Sequence, residues 1–212
     1  MTEIDRLAAQ LLPLFPQLDT SGRTIALTLY RQLAQGAPVS LAALAERLEM
    51  PSDRVTARLR DWPGVYYDAQ QRVIGFQGLT IRRMVHQLRI GERELYAWCA
   101  WDTLFLPELV GANTQVRSTC RATGEAIQLT VTPEGLEAAS PPGAVISFVV
   151  PAAAAVNKDV ITSFCHYVHF FSFPDAARAW LSEHPDAFLL RLRDAYDLGR
   201  RINRARYGEW VA

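Results

Sequence analysis

Two segments, QVRSTC at 115–120 and AIQLTV at 126–131, alternate in character residue by residue and flank the turn sequence RATGE. Period-two alternation places successive side chains on opposite faces of a strand, so the pair predicts a β-hairpin with one buried face. This feature commits the chain beyond about residue 90 to antiparallel sheet. AVISFVV at 144–150 supplies a candidate buried strand. PDAARAWLSEHP, and an amphipathic stretch from Phe188 to about Arg206, supply helices. GERELYAWCAWDTLFLP at 91–107 is expected to begin helical, with Glu92 and Glu94 near the positive end and Pro107 at its limit. The expected class is α+β, with a mixed or antiparallel β-sheet and flanking helices.

Upstream the pattern is helical. Residues 3–18 read as an amphipathic helix interrupted by Pro13 and Pro16. A second helix runs from Arg23 to Gln35 through Ile25, Leu29 and Leu33, with Gly36 as its stop. Ser40 is placed to cap a helix through Leu48, Met50-Pro51 makes a turn, and Ser52 is placed to cap a helix through Arg60. VYYDAQQRVIGFQGL at 65–79 then alternates like a wing around a polar turn. Two domains are therefore expected: a helical, winged-helix-like unit over 1–82 and an α+β unit over 83–212.

DNA is not expected as a partner. Over residues 40–62, Arg47, Arg54, Arg58 and Arg60 are cancelled by Glu46, Glu49, Asp53 and Asp61, and 22 basic residues balance 22 acidic ones in the whole chain. Neither a recognition helix nor the molecule as a whole presents the positive field that nucleic acid requires. The N-terminus carries Glu3 and Asp5 instead of the basic region of a signal peptide. The apolar run AVISFVVPAAAAV is shorter than the roughly 20 residues a spanning helix needs, and Pro151 breaks it. A soluble, cytoplasmic chain without membrane partners is the expectation. No G-x-G-x-x-G, P-loop or G-x-S-x-G motif is present, so neither a nucleotide cofactor nor a serine hydrolase is indicated.

Chemistry-bearing residues gather in two aromatic segments. LYAWCAWDTLFLP (95–107) holds Cys99 and Asp102, and TSFCHYVHFFSF (162–173) holds Cys165, His166 and His169. Three cysteines without a CxxC do not resemble a disulfide framework or a zinc ribbon; free thiols are expected. On a helix, Cys99 and Asp102 share a face, and a carboxylate beside a thiol can accept its proton and deliver it elsewhere. The apolar neighbours Trp98, Trp101 and Phe105 are expected to raise the aspartate pKa. Read locally, the pair also fits a core cysteine beside a helix-end aspartate satisfied by backbone. A zinc site assembled from the cysteines with His166 or His169 is a further alternative. Cys120, at a strand end, reads as packing.

LYAWCAWDTLFLP, the STCRATGEAIQLTV hairpin and SFCHYVHFF, in this order and spacing, closely resemble the organomercurial (alkylmercury) lyase family. The resemblance covers essentially the whole chain and is weakest over the first 20 residues. It implies an enzyme that cleaves the carbon–mercury bond of organomercurials to a hydrocarbon and Hg(II). It further implies a catalytic trio of Cys99, Asp102 and Cys165, with Cys120 as a structural cysteine. Hg(II) is then held transiently on Cys99 and Cys165 until cytosolic thiols extract it, with mercuric reductase as a recipient; no cofactor is implied. Trp98, Trp101 and Phe164 become candidates for the substrate pocket. Some members carry a further cysteine where this chain has His166, and familiar members have an aliphatic residue where it has Trp101. The competing expectation is a mercury- or metal-responsive winged-helix regulator that uses the cysteines as a sensor and has no lyase activity.

Overall fold

A computed structural model describes residues 2–152 and 159–208. The end of the AVISFVVPAAAAV run, residues 153–156, lies outside the described residues.

The expected hairpin forms. Strand β6 (Thr114–Thr119) pairs antiparallel with β7 (Ala126–Val131) in continuous register from Thr114↔Val131 to Thr119↔Ala126. Val116 and Ser118 face inward with Ile127, Leu129 and Val131, as the alternation requires. These strands belong to an eight-stranded sheet in the order β1-β2-β3-β5-β4-β6-β7-β8, all neighbours antiparallel. Its other strands are β1 (Val65–Tyr67), β2 (Val73–Phe76), β3 (Leu79–Thr80), β4 (His86–Ile90), β5 (Arg93–Ala97) and β8 (Leu136–Ser140). A second antiparallel sheet places β9 (Val145–Phe148), buried at every residue, between β10 (Phe170–Phe171) and β11 (Phe188–Arg191).

The N-terminal helices follow their sequence signals. Helix α1 (Glu3–Leu11) opens on a capping box between Thr2 and Asp5 and passes into a single 3-10 turn at Pro13. Helix α2 (Thr20–Leu33) is capped by Asp19, buries Ile25, Leu29 and Leu33, and is followed by Gly36 at φ 82°. Ser40 caps α3 (Leu41–Arg47) by accepting from the Ala43 N–H. Ser52, however, is the first residue of α4 (Ser52–Asp61), and Pro51 occupies the capping position without a side-chain bond. The β1–β2 hairpin follows, and β3 leads from it directly onto β5.

Three boundaries differ from expectation. Residues 93–97 are strand, not helix: Leu95 and Ala97 are buried while Arg93 and Glu94 face water, and β5 is hydrogen-bonded on both edges, to β3 and β4. Gly91, at φ 60°, makes the tight turn between β4 and β5. Helix α5 (Asp102–Val110) starts later and runs through Pro107; Gly111, at φ 68°, ends it and donates its N–H to the Pro107 carbonyl. Phe188–Arg191 form β11 against β9, so the last described helix starts at Leu192 and runs to Tyr207. In both the first and the third case, paired strands supplied the hydrogen-bond partners that overrode a short helical pattern.

Every residue of α5 is buried. It packs against the Leu192–Tyr207 helix so closely that a Cβ at Gly199 would sit 2.6 Å from Phe105 Cβ. Glu108, also buried, accepts from Asn203 Nδ2 at 2.8 Å and lies 3.5 Å from Arg200 Nε. Among the described residues no helix is long and apolar enough to cross a membrane.

Candidate active site

Between the end of β5 and the start of α5 the chain makes a buried corner. The Trp98 N–H donates to the Gly78 carbonyl at 2.9 Å, and the Cys99 N–H donates to Asp102 Oδ2 at 2.8 Å. The Thr103 hydroxyl closes the corner on the Ala100 carbonyl at 2.7 Å. Cys99 and Asp102 therefore meet, as expected from their spacing, but a strand-to-helix corner joins them instead of a shared helix face. Asp102 opens α5, where the positive end of the helix dipole favours its anion.

Cys165 arrives from the other segment, in a single 3-10 turn after the short helix Val160–Ser163, which Asp159 caps. The Ala100 N–H donates to the Val168 carbonyl at 3.2 Å and ties the two segments together. One ligand atom from each of Cys99, Asp102 and Cys165 lies within 4.8 Å of the others, and all three residues are buried. This is the one group of three or more such side chains among the described residues. The zinc alternative with His166 or His169 does not form: His166 is exposed, and His169 packs edge-on to Trp180, 4.8 Å between ring centres.

Burial sets the protonation states. It raises the Asp102 carboxyl from 3.8 to about 6, against hydrogen bonds from Cys99 and Trp98 that favour the anion. Burial also pushes the Cys99 thiol well up, helped by its hydrogen bond with Cys165 and the nearby Asp102 charge. For Cys165, the Cys99 hydrogen bond favours the thiolate but is outweighed by burial and Asp102, and the net shift is upward. At neutral pH the site holds two thiols beside a carboxylate that is mostly ionised and easily protonated.

An apolar pocket adjoins the trio, enclosing about 790 Å³ with its open mouth counted. Trp98, Trp101 and Phe164, the three pocket candidates, all line it together with Asp102 and Cys165. Trp101 is held by donating Nε1–H to the Ala195 carbonyl at 2.9 Å, with Phe105, Phe148 and Phe164 edge-on around it. Cys120 stands outside the trio: its Sγ accepts from the Ser172 N–H at 3.4 Å. Burial raises its thiol, but hydrogen bonds from Thr123 and Ser172 prevail and bring it to about 7.

Sequence reasoning missed several pocket residues. Gly78 adopts φ 103°, and a Cβ there would stand 2.7 Å from Asp102 Oδ1, so glycine is needed for both conformation and space. Tyr30 donates to the Gln77 carbonyl at 3.0 Å, and Leu11, Phe15 and Arg206 complete the wall. In the sequence Gly78 reads only as a turn glycine after Phe76; its contact with Asp102 had no signal, and the contributions of α1 and the last helix had none.

The alkylmercury lyase family model matches residues 79–204. An alkylmercury lyase of Staphylococcus epidermidis is 39% identical over 210 residues, covering 99% of this chain and 95% of that protein. One of Pseudomonas putida is 42% identical over 179 residues, covering 84% and 82% respectively. Among solved structures, the mercury-bound form of MerB2 superposes with a TM-score of 0.75 at 26% identity, covering 96% of this chain and 98% of that one.

Proposed function

The chain belongs to the alkylmercury lyase family, and from that premise we propose that it cleaves the carbon–mercury bond of organomercurials with Cys99, Asp102 and Cys165. The observation that carries the assignment of residues is the buried cluster of two thiols and one carboxylate, all within 4.8 Å, beside an apolar pocket.

The residue types match the reaction. Mercury is soft and prefers thiolates to oxygen or nitrogen donors. Asp102, poised at about 6, takes a proton from the Cys99 thiol, and the thiolate displaces the ligand opposite the organic group on mercury. Cys165 adds as the second soft ligand and loses its proton to the displaced ligand or to solvent. Two sulfur donors raise electron density on the organic carbon. Asp102 then returns its proton to that carbon, the carbon–mercury bond breaks, and hydrocarbon leaves with Hg(II) held on the two cysteines. One proton enters the hydrocarbon, and no electron is gained or lost. The reaction calls for no redox or nucleotide cofactor from these residues. Cytosolic thiols extract the Hg(II), with mercuric reductase a fitting recipient, and the cytosol is the compartment that supplies them.

The test is to incubate the protein with phenylmercury and excess thiol and to measure benzene. Cys99→Ser, Cys165→Ser and Asp102→Asn are each expected to lower its release at least about a hundredfold. Full turnover by Cys165→Ser would contradict the two-thiolate mechanism. The regulator alternative is not favoured: a thiolate sensor has no need of Asp102, and the basic and acidic residues of 40–62 balance.

A further inference from the structure

Among the described residues, Arg206 is a buried cation without a counter-ion. It lies in the last turn of the Leu192–Tyr207 helix at 9% exposure, and among the described residues no carboxylate stands within ion-pair distance of it. Among the described residues its one hydrogen bond runs from Nη2 to Gln77 Oε1 at 2.9 Å, and its buried Nε has no partner. The faces of Phe15 and Tyr207 hold the guanidinium at 4.5 and 5.0 Å from their ring centres. A guanidinium offers five N–H donors in a planar fork, so burying Nε with no partner is costly unless another group completes it.

The location gives that missing group an identity. Arg206 lines the same pocket as Asp102 and Cys165. Gln77, which it grips, precedes Gly78, where a Cβ would stand 2.7 Å from the Asp102 carboxylate. The Tyr30 hydroxyl, bonded to the Gln77 carbonyl, lies near enough to feel the charges of both Arg206 and Asp102. Apart from Asn203, whose amide nitrogen donates to the Phe105 carbonyl and Glu108, the remaining walls, including Leu11, Phe105 and Phe164, are apolar. A pocket shaped for hydrocarbon groups alone has no use for a buried cation at its wall.

We propose that Arg206 is a carboxylate-recognition site within the substrate pocket, so that the enzyme favours organomercurials whose organic group carries a carboxylate. This rests on the lyase reading of the trio. The planar fork accepts both carboxylate oxygens, the two aromatic faces fix its plane, and Gln77 sets its rotation. The apolar walls take the hydrocarbon body between the carboxylate and the mercury.

The test compares kcat/KM for 4-mercuribenzoate and phenylmercury under excess thiol. Wild type is expected to prefer the carboxylate, and Arg206→Gln to lose about tenfold to a hundredfold on 4-mercuribenzoate, chiefly through KM. On phenylmercury the same variant is expected to lose less, so that the preference for 4-mercuribenzoate over phenylmercury falls, and Arg206→Lys to recover part of that preference. Equal losses on both substrates, or no preference in wild type, overturn the proposal and leave Arg206 a structural residue. A second readout needs no cleavage: benzoate and benzamide are titrated into mercury-free protein by tryptophan fluorescence, since Trp98 and Trp101 line the pocket. Tighter binding of benzoate that disappears in Arg206→Gln supports the site; equal binding of the two ligands overturns it. If phenylmercury is not cleaved, the lyase reading fails while the benzoate titration still decides this one.

Discussion

Asp102 shows how much one burial decision controls. An ordinary aspartate is a weak base at neutral pH; this one, raised to about 6, both takes and returns a proton readily. Activity on phenylmercury is therefore expected to fall about tenfold per pH unit below about 6, as the base is lost by protonation, measured as kcat/KM across pH 4.5–8. The same shift has a thermodynamic cost of known sign. Because the folded-state value lies above the ordinary 3.8, the fold favours the protonated carboxyl, and that benefit is complete below 3.8 and lost as pH rises through about 6. Asp102→Asn is accordingly expected to be more stable than wild type by on the order of 2–3 kcal/mol at pH 7.5, with the gap closing toward pH 4. Urea unfolding of the two proteins at several pH values checks this, and a gap independent of pH would contradict it. Such a variant would be stabler and inactive, as expected where a site is built for chemistry. The aspartate's raised pKa was legible in its apolar neighbours. The identity of its third partner was not, because 62 residues separate Cys165 from Asp102 and only the family resemblance joined them.

At the scale of elements, the corner between β5 and α5 is the structure on which the site depends. The sequence reading put Cys99 on a helix because ELYAWCAW carries apolar residues at spacings that suit helix and strand alike. Pairing of β5 on both edges decided for strand, and the helix then began at Asp102. Gly78→Ala is predicted to force either the turn or the carboxylate to move. It should cost about 1–3 kcal/mol of stability and about a hundredfold in kcat, read from urea unfolding and from benzene release. Retained kcat would show that Asp102 can shift without penalty. Gly199→Ala tests the other side of α5: its Cβ would meet Phe105 Cβ at 2.6 Å, so a loss of about 1–3 kcal/mol is expected. Neither glycine announced these contacts in the sequence, since each depends on a helix or corner brought against it from elsewhere.

At the scale of the molecule, the site draws on distant parts of the chain. The trio comes from two segments, Gly78 from the turn between β2 and β3, and much of the pocket wall from α1 and the last helix. The antiparallel α+β class was legible because the β6–β7 alternation and its turn leave one reading. The pocket was not, because its wall residues carry ordinary core patterns and acquire a role only through packing. Cys120 marks the boundary between scaffold and chemistry. Placed outside the trio and bonded to Ser172, it is expected to cost about 1–2 kcal/mol of stability when changed to serine. Benzene release per folded molecule should change less than about twofold, since Cys120 stands outside the cluster of the proposed proton relay. The most direct measurement of the central claim separates mercury capture from proton delivery. Asp102→Asn is mixed with one equivalent of phenylmercury, and free thiols and benzene are followed through a single turnover. The account predicts that Cys99 and Cys165 become protected, more slowly than in wild type because the Cys99 proton must leave to solvent instead of to Asp102, while no benzene burst appears; a burst equal to that of wild type would contradict Asp102 as the proton donor.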